Sequence, residues 1–236
     1  MNIVTPPNLK VIPEGCFARF PDNSNLHIIL SEGLESIGKD AFLGCGVSTI
    51  LLPASLKNID PRAFSGIPMW GEISPLIAYE VAPGNTHLKA DNGVLFSADG
   101  KKLLACPQSK TPNYRIPDGT EEIGPHAFAN SYLAGFNDNQ PIASFLMVPA
   151  SVTTLYVSSF SIEAWDTKPA NAYFLGAAPE FAEADGWPGH IVFNYSSLYQ
   201  ESWEAKLDEG IEPLTYGGYV VNMISGTVVI PTLVRQ

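Results

Sequence analysis

The chain has 236 residues, of which 45% are hydrophobic and 16% are charged, and its formal net charge is −11. This composition is that of a globular protein long enough to bury a sizeable core. The negative charge argues against nucleic-acid binding, which depends on Lys and Arg neutralising phosphates, and against docking on anionic lipid. No apolar run has the length required to span a membrane, so membrane insertion is not expected.

One pattern occurs five times between residues 4 and 160. A short alternating apolar run is followed by Pro or Ser, six residues later by Ile or Leu, and five residues after that by Phe, at Phe17, Phe42, Phe64, Phe128 and Phe160. The alternating run predicts a strand that ends at the proline, which has no N–H to donate to a sheet. The Phe, usually preceded by a small residue, predicts a single helical or 3₁₀ turn. One such unit cannot bury its apolar edge alone, so the pattern predicts stacked units with a continuous core.

Residues 68–113 interrupt the repeat. The Asp99-Gly100 pair lies between the apolar runs 94–96 and 103–104, and Gly supplies the positive φ that a tight turn requires. This segment therefore predicts one inserted β-hairpin, which we expect to pack on the stack and not to form a separate domain.

The C-terminal part departs from the pattern. Residues 161–219 predict a divergent cap with strands around Tyr173 and over residues 190–193, and with a short helix over residues 196–207 that carries Trp203. Residues 220–236 contain another apolar run with a proline, around Val229, and predict either a C-terminal edge strand or a truncated repeat.

The repeat resembles the BspA-type leucine-rich repeat of bacterial surface proteins, on the apolar run, the proline, the Ile, the Ala-Phe pair and Gly44-Cys45. Residues 91–107 are similar to a segment inserted in many members of that family. The resemblance implies an α/β leucine-rich-repeat solenoid that is β-rich, with a parallel concave sheet and short helical or 3₁₀ turns, over a single domain of residues 1–219. The family's Cys occurs at its repeat position once, and Ile67-Pro68 and Asn130-Ser131 replace it elsewhere.

The resemblance also implies a function. It points to a non-enzymatic, adhesin-like protein at the cell surface or secreted, whose partner is a protein such as a host extracellular-matrix or cell-surface glycoprotein. An alternative is an intracellular interaction scaffold in the cytoplasm, because the first residues of the sequence lack a signal peptide. A third hypothesis is an enzyme with a site in the divergent part, around Glu163, Asp185 and His190.

The sequence offers little chemistry for catalysis or metal binding. The four His residues are scattered and show no ligand spacing, so no metal and no cofactor are expected. The three Cys residues include no Cys-x-x-Cys pair, and we expect Cys16 and Cys45 to be buried at repeat positions as free thiols. Asn194-Tyr-Ser196 has the form of a glycosylation sequon.

The alternation of the strands predicts a binding face. If the apolar residues two apart point inward, the residue between them points outward, which selects Ile29, Leu51, Arg115 and Met147; Phe145 lies two residues before Met147 on the same face. An exposed apolar face of a solenoid is a common interaction surface, so these five residues are the predicted partner-binding residues. The alternative is that they reflect only the β-propensity of a face that another part of the chain covers.

Overall fold

A computed structural model describes residues 2–18, 27–43, 45, 47–64, 76–107, 110, 113–129, 131, 145–161, 170–182, 191–207, 215–216 and 219–224. In chain order, the strands of these residues are β1 (Asn2–Val4), β2 (Val11–Ile12), β3 (His27–Ile29), β4 (Ser36–Ile37), β5 (Thr49–Leu52), β6 (Asn58–Ile59), β7 (Ala78–Val81), β8 (Leu88–Asp91), β9 (Val94–Ser97), β10 (Lys102–Ala105), β11 (Asn113–Arg115), β12 (Glu122–Ile123), β13 (Phe145–Val148), β14 (Thr154–Leu155), β15 (Ala170–Phe174), β16 (Glu180–Phe181), β17 (Ile191–Ser196), β18 (Thr215–Tyr216) and β19 (Tyr219–Ile224). The helical segments of these described residues are two 3₁₀ helices, Val157–Phe160 and Ser197–Tyr199, and α1 (Gln200–Glu204).

The strands form two series of parallel pairs, of which the repeat predicts the first and not the second. The strand before each proline position belongs to the long ladder, in which β1 pairs with β3, β5 pairs with β7, and the order β11-β13-β15-β17-β19 continues without interruption. The two-residue strand at each Ile or Leu position belongs to the short ladder, with the orders β2-β4-β6 and β10-β12-β14-β16. Each repeat unit thus contributes one strand to each ladder, and the predicted leucine-rich-repeat solenoid is confirmed.

Stacked Phe rings occupy the core between the ladders. The ring of Phe42 lies between those of Phe17 and Phe64, with centroid distances of 5.2 and 4.8 Å and nearly parallel planes. Phe128 and Phe160 repeat this contact at 5.3 Å. The Ile and Leu positions stack in the same way and are buried at Ile12, Ile37, Ile123 and Leu155.

The turn that carries each Phe is less regular than predicted. A 3₁₀ helix forms in the fifth unit, at Val157–Phe160, whereas residues 14–18, 39–43, 61–64 and 125–129 are turns. The backbone N–H of Phe17 donates to the carbonyl of Ala41 at 2.8 Å, and that of Phe42 donates to Ala63 at 2.7 Å. The Phe amides therefore pair with the next unit, whereas neighbouring amides make single i→i−3 bonds within the turn, such as Ala18 to Gly15 and Leu43 to Asp40.

The predicted hairpin is present and is one part of a three-stranded antiparallel insertion. β9 and β10 are joined through Gly100, whose φ is +78°. β8 precedes them and is joined to β9 by Asn92 and Gly93, both with positive φ, the conformation of a type I′ turn. β7 also lies within 68–113, yet it pairs in parallel with β5, and the ring of Tyr79 meets Phe64 edge-on at 5.7 Å.

The insertion packs against repeats on both sides. Leu95 belongs to a buried cluster with the first three units, whereas Val94 and Phe96 belong to a cluster with the later units. Because successive side chains of a strand point to opposite faces, β9 is buried on both. Asn85 fixes the approach to this insertion: its side-chain amide donates to the carbonyls of Pro53 and Leu56, and its oxygen accepts from the N–H of Leu88.

The C-terminal part keeps the ladder while losing the Phe repeat. β15 and β17 continue the parallel register, and β18 pairs antiparallel with β19. The predicted short helix is the 3₁₀ turn followed by α1, and its Trp203 is fully buried with Nε1–H donating to the carbonyl of Gly176 at 3.2 Å. The strand predicted around Val229 lies outside the described residues.

We predict that Phe64→Ala and Phe128→Ala each lower the free energy of unfolding by roughly 3–5 kcal/mol, because each leaves a cavity in a shared stack. The exposed side chain of Val11 provides the control, and Val11→Ala should change stability by less than about 0.5 kcal/mol. Chemical denaturation followed by circular dichroism measures all three. A loss below about 1 kcal/mol at both Phe positions would show that the column does not support the fold.

Candidate protein-binding face

The long ladder presents a row of exposed apolar side chains at its N-terminal end. Val4, Ile29 and Leu51 are exposed to 60%, 52% and 52% of their full surface, whereas the inward residues Ile28 and Ile50 are 8% and 0% exposed. Val4 and Ile29 are register partners on β1 and β3, and β3 lies beside β5. We call Val4, Ile29 and Leu51 the apolar stripe.

The next strand after the apolar stripe carries a carboxylate, Glu80, at the same register position. Leu51 on β5 is the partner of Glu80 on β7, and the side chain of Glu80 is exposed. Within the described part of the chain, no Lys or Arg forms an ion pair with Glu80. The face therefore changes from three aliphatic side chains to one negative charge over four neighbouring strands.

The turn between β8 and β9 divides this face. The N–H of Tyr79 on β7 donates to the carbonyl of Gly93 at 2.9 Å, so the turn covers the open edge of β7. A Cβ at Gly93 would lie 2.8 Å from that of Ala78, which leaves no room for a side chain. Beyond the turn, Lys110 donates to the carbonyl of Asn92, and its Nζ lies 5.4 Å from the ring centre of Tyr114 on β11.

The predicted binding residues fall on both sides of this division. Ile29 and Leu51 are exposed, as expected, on the N-terminal side. Arg115 is exposed on β11, where its guanidinium pairs with Asp118 at 3.1 Å. Arg115, Phe145 and Met147 therefore do not lie beside the apolar stripe.

The predicted exposure of Met147 is wrong. Its side chain is 2% exposed, and Leu146 and Val148 on either side are also buried. Since neighbouring residues of a strand point to opposite faces, three consecutive buried residues mean that both faces of β13 are covered. Phe145 is half-buried and meets Tyr173 of the next strand edge-on at 6.3 Å.

Burial also changes the interpretation of Asn194. Its side chain is 6% exposed, and Nδ2 donates to the Asn171 side-chain oxygen at 3.1 Å and to the Val192 carbonyl at 3.2 Å. The sequon therefore forms a polar contact between β15 and β17, and its amide is not accessible for glycosylation in the folded chain.

The cysteines divide into one exposed and two buried thiols. Cys16 is exposed, which contradicts the predicted burial, because its turn belongs to the first unit and no earlier described unit covers it. Cys45 is buried as predicted, and its thiol donates to the carbonyl of Phe17 at 2.8 Å. Cys106 is buried at the junction of insertion and repeats, where desolvation raises its thiol pKa well above the usual range.

Other titratable groups near this junction are also held neutral. Burial, with a smaller contribution from Cys106, raises the hydroxyl pKa values of Tyr79 and Tyr114. These groups are therefore core residues and not ionised nucleophiles at neutral pH.

The described ranges contain no group of three or more His, Cys, Asp or Glu side chains placed to hold a metal ion. Glu163, Asp185 and His190 of the enzyme hypothesis lie outside the described residues.

Comparison with known families identifies the repeat. Residues 1–74 match the family model described as BspA type Leucine rich repeat region, in six copies. Residues 1–74 carry BspA-type leucine-rich repeats. The predicted family is thereby confirmed on the part of the sequence that contains the apolar stripe.

Solved structures extend the similarity of fold to nearly the whole chain. The pneumococcal vaccine antigen PcpA is 17% identical, with a TM-score of 0.52 over 96% of this chain and 68% of that protein. A leucine rich cell surface protein from Faecalibacterium prausnitzii A2-165 is 18% identical, with a TM-score of 0.52 over 95% of this chain and 59% of that protein. A leucine-rich repeat protein from Eubacterium ventriosum ATCC 27560 is 18% identical, with a TM-score of 0.50 over 83% of this chain and 50% of that protein.

At these identities the similarity shows a shared fold. The chain spans between half and about two thirds of the length of these structures. No curated protein matches the sequence. Where the structure is described, no helix combines the length and apolar character that crossing a membrane requires.

Glu80 is the residue of this face that the sequence analysis missed. Its strand β7 was assigned to the interruption of the repeat, although Ile77, Tyr79 and Val81 alternate with the residues between them and Pro83 follows. The alternation is that of the other strands, but Pro83 stands two residues after the last inward residue, Val81, whereas Pro53 directly follows Leu52. Alternation alone could have placed Glu80 next to Leu51, whereas the spacing to the proline would have selected Val81.

We predict opposite outcomes for two lysine substitutions at positions with the same predicted orientation. Leu51→Lys should change the free energy of unfolding by less than about 0.5 kcal/mol, because the new charge remains in solvent. Met147→Lys should cost roughly 3–5 kcal/mol, because it buries an unpaired charge. Thermal and chemical denaturation of both variants provide the measurement, and equal stability would mean that β13 is open to solvent.

We also predict that one thiol per folded chain reacts rapidly with a disulfide reagent such as Ellman's reagent. Cys16 should react because it is exposed, whereas Cys45 and Cys106 should react only after unfolding in guanidinium. Cys16→Ser should abolish the rapid phase. Rapid reaction that persists in this variant would contradict the burial of the other two thiols.

Proposed function

We propose that this BspA-type repeat protein is a non-enzymatic binding protein that acts at the bacterial cell surface or after secretion, and that it binds a protein partner through the apolar stripe. The observation that carries the proposal is the exposure of Val4, Ile29 and Leu51 on neighbouring strands. Three adjacent aliphatic side chains left in solvent form a contiguous patch, and such patches tend to mark interaction sites.

The stripe does not contribute to the stability of the solenoid in the way that the inward residues do. Ile28 and Ile50 bury nearly all of their surface, whereas their neighbours Ile29 and Leu51 leave about half of theirs in water. Covering the exposed half of each stripe side chain with a partner would contribute about 1 kcal/mol per residue. Three such contacts supply about 3 kcal/mol, less than the ~4 kcal/mol of a millimolar complex, so the partner must also contact residues around the stripe.

The apolar character of the stripe favours a protein partner over nucleic acid or anionic lipid. Nucleic acid and anionic lipid require positive charge, and the chain carries a net charge of −11. Two of the similar structures, a vaccine antigen and a cell surface protein, support a surface location for this chain by analogy of fold. The proposed partner is a protein of the host or of a neighbouring cell, for example an extracellular-matrix or cell-surface glycoprotein.

We predict that the double variant Ile29→Lys/Leu51→Lys loses binding to the partner while it keeps its fold. The measurement is surface plasmon resonance of the purified chain on a panel of immobilised extracellular-matrix and plasma glycoproteins, with circular dichroism of each variant. Two new positive charges at the centre of the contact should weaken binding by at least about tenfold.

The control is Val11→Lys, since Val11 is an equally exposed aliphatic residue on the short ladder. Binding that is lost in the stripe variant and retained in Val11→Lys supports the proposed face. Equal binding by all variants places the contact elsewhere. A native chain that binds no member of the panel argues against the extracellular adhesin proposal and favours the alternative of an intracellular scaffold.

A further inference from the structure

We propose that the segment of the partner that binds the apolar stripe is an amphipathic α-helix with a Lys or Arg opposite Glu80. This inference rests on the proposed function and specifies its partner. The helix would lie across the strands, along the axis of the repeats, with three apolar residues on Val4, Ile29 and Leu51 and its positive charge at the fourth position.

The spacing of the stripe favours a helix. Parallel strands of a ladder lie about 4.8 Å apart, and Val4 and Ile29, like Leu51 and Glu80, are direct register partners. One face of an α-helix presents a side chain about every 5.4 Å, one helical turn, whereas one face of an extended chain presents a side chain about every 6.6 Å. Over three steps, the summed side-chain spacing of a helix exceeds that of the ladder by roughly 2 Å. The summed spacing of an extended chain exceeds it by roughly 5 Å.

The distance between Ile29 on β3 and Leu51 on β5 also fits the spacing of a helix. β3 and β5 lie beside each other without the ladder pairing that joins β1 to β3. This step is therefore no shorter than a regular ladder step. The three steps from Val4 to Glu80 therefore span at least about 14 Å, against about 16 Å for three helical turns.

A small side chain beside the stripe leaves room for a helix on β5. Thr49 lies two residues before Leu51 on the same face and is exposed. Ala78 lies two residues before Glu80, where the turn at Gly93 packs against it. Because a helix with its side chains is about 10–12 Å wide, this turn limits the docking surface on β7.

Glu80 sets the charge of the partner. Its carboxylate is exposed at the end of the stripe, and no described cation neutralises it. A Lys or Arg placed one turn beyond the third apolar residue of the helix would meet it. The net charge of −11 would further attract a basic segment at low ionic strength.

The test uses three fluorescent peptides of about 16 residues, long enough for three turns and both ends; the two with helical spacing are stapled, and the alternating one is not. The helical peptide has Leu at i, i+4 and i+7 and Arg at i+11. The second peptide has the same composition with its Leu residues in strict alternation, and the third replaces the Arg with Glu. Fluorescence anisotropy measures their binding to the native chain, to Ile29→Lys/Leu51→Lys, to Glu80→Lys and to the control Val11→Lys.

We expect the helical peptide to bind the native chain and Val11→Lys equally, and to bind the stripe variant at least about tenfold more weakly. Glu80→Lys should reverse the preference between the Arg and Glu peptides, a result that a merely structural role of Glu80 would not produce. The proposal is overturned if the helical peptide does not bind, if the alternating peptide binds as tightly, or if Glu80→Lys leaves the charge preference unchanged.

The glycoprotein panel distinguishes failure of this inference from failure of the proposed function. If binding to the panel depends on the apolar stripe but the helical peptide does not bind, the proposed binding face stands and the proposed helical partner is rejected. Panel binding that survives Ile29→Lys/Leu51→Lys would reject the face itself.

Discussion

The fold depends on each repeat unit placing its Phe and its Ile or Leu directly on the same residues of the next unit. The ring of Phe42 contacts Phe17 on one side and Phe64 on the other, and the backbone amides of Phe17 and Phe42 pair with the neighbouring unit. A single unit has no closed core, so its stability comes from its neighbours. This constraint fixes the inward side chains of every strand. It leaves the outward side chains free to vary, and the proposed binding site uses that freedom.

The insertion preserves this stacking where the Phe pattern stops. Tyr79 meets Phe64 in place of another Phe, and β9 sends Leu95 toward the earlier units and Val94 and Phe96 toward the later ones. The turn at Asn92 and Gly93 covers the edge of β7. The insertion therefore joins two groups of repeats and also ends the open part of the face just beyond Glu80. The length of the stripe and its charged end both follow from where the insertion lies.

The candidate site requires no catalytic or metal chemistry. The buried Cys106, Tyr79 and Tyr114 have raised pKa values and remain neutral, which suits a core and not a nucleophile. The exposed chemistry of the face is three aliphatic side chains and one carboxylate. A face of this kind can discriminate between partners by shape, by the spacing of apolar residues and by charge, which is the basis of the proposed helical partner.

The sequence by itself determined the repeat, the inward columns and the hairpin at Gly100, because these depend on local periodicity and on glycine at a position of positive φ. It also gave the correct orientation of Ile29 and Leu51. Tertiary structure decided which side chains reach solvent: Met147 has the alternation of Leu51 but is buried, and Cys16 has the repeat position of the buried Ala41 and Ala63 but lies in the first unit and is exposed. Periodicity specifies the direction of a side chain from its own strand. Whether that side chain reaches solvent depends on segments distant in the chain, and local sequence carries no signal for them.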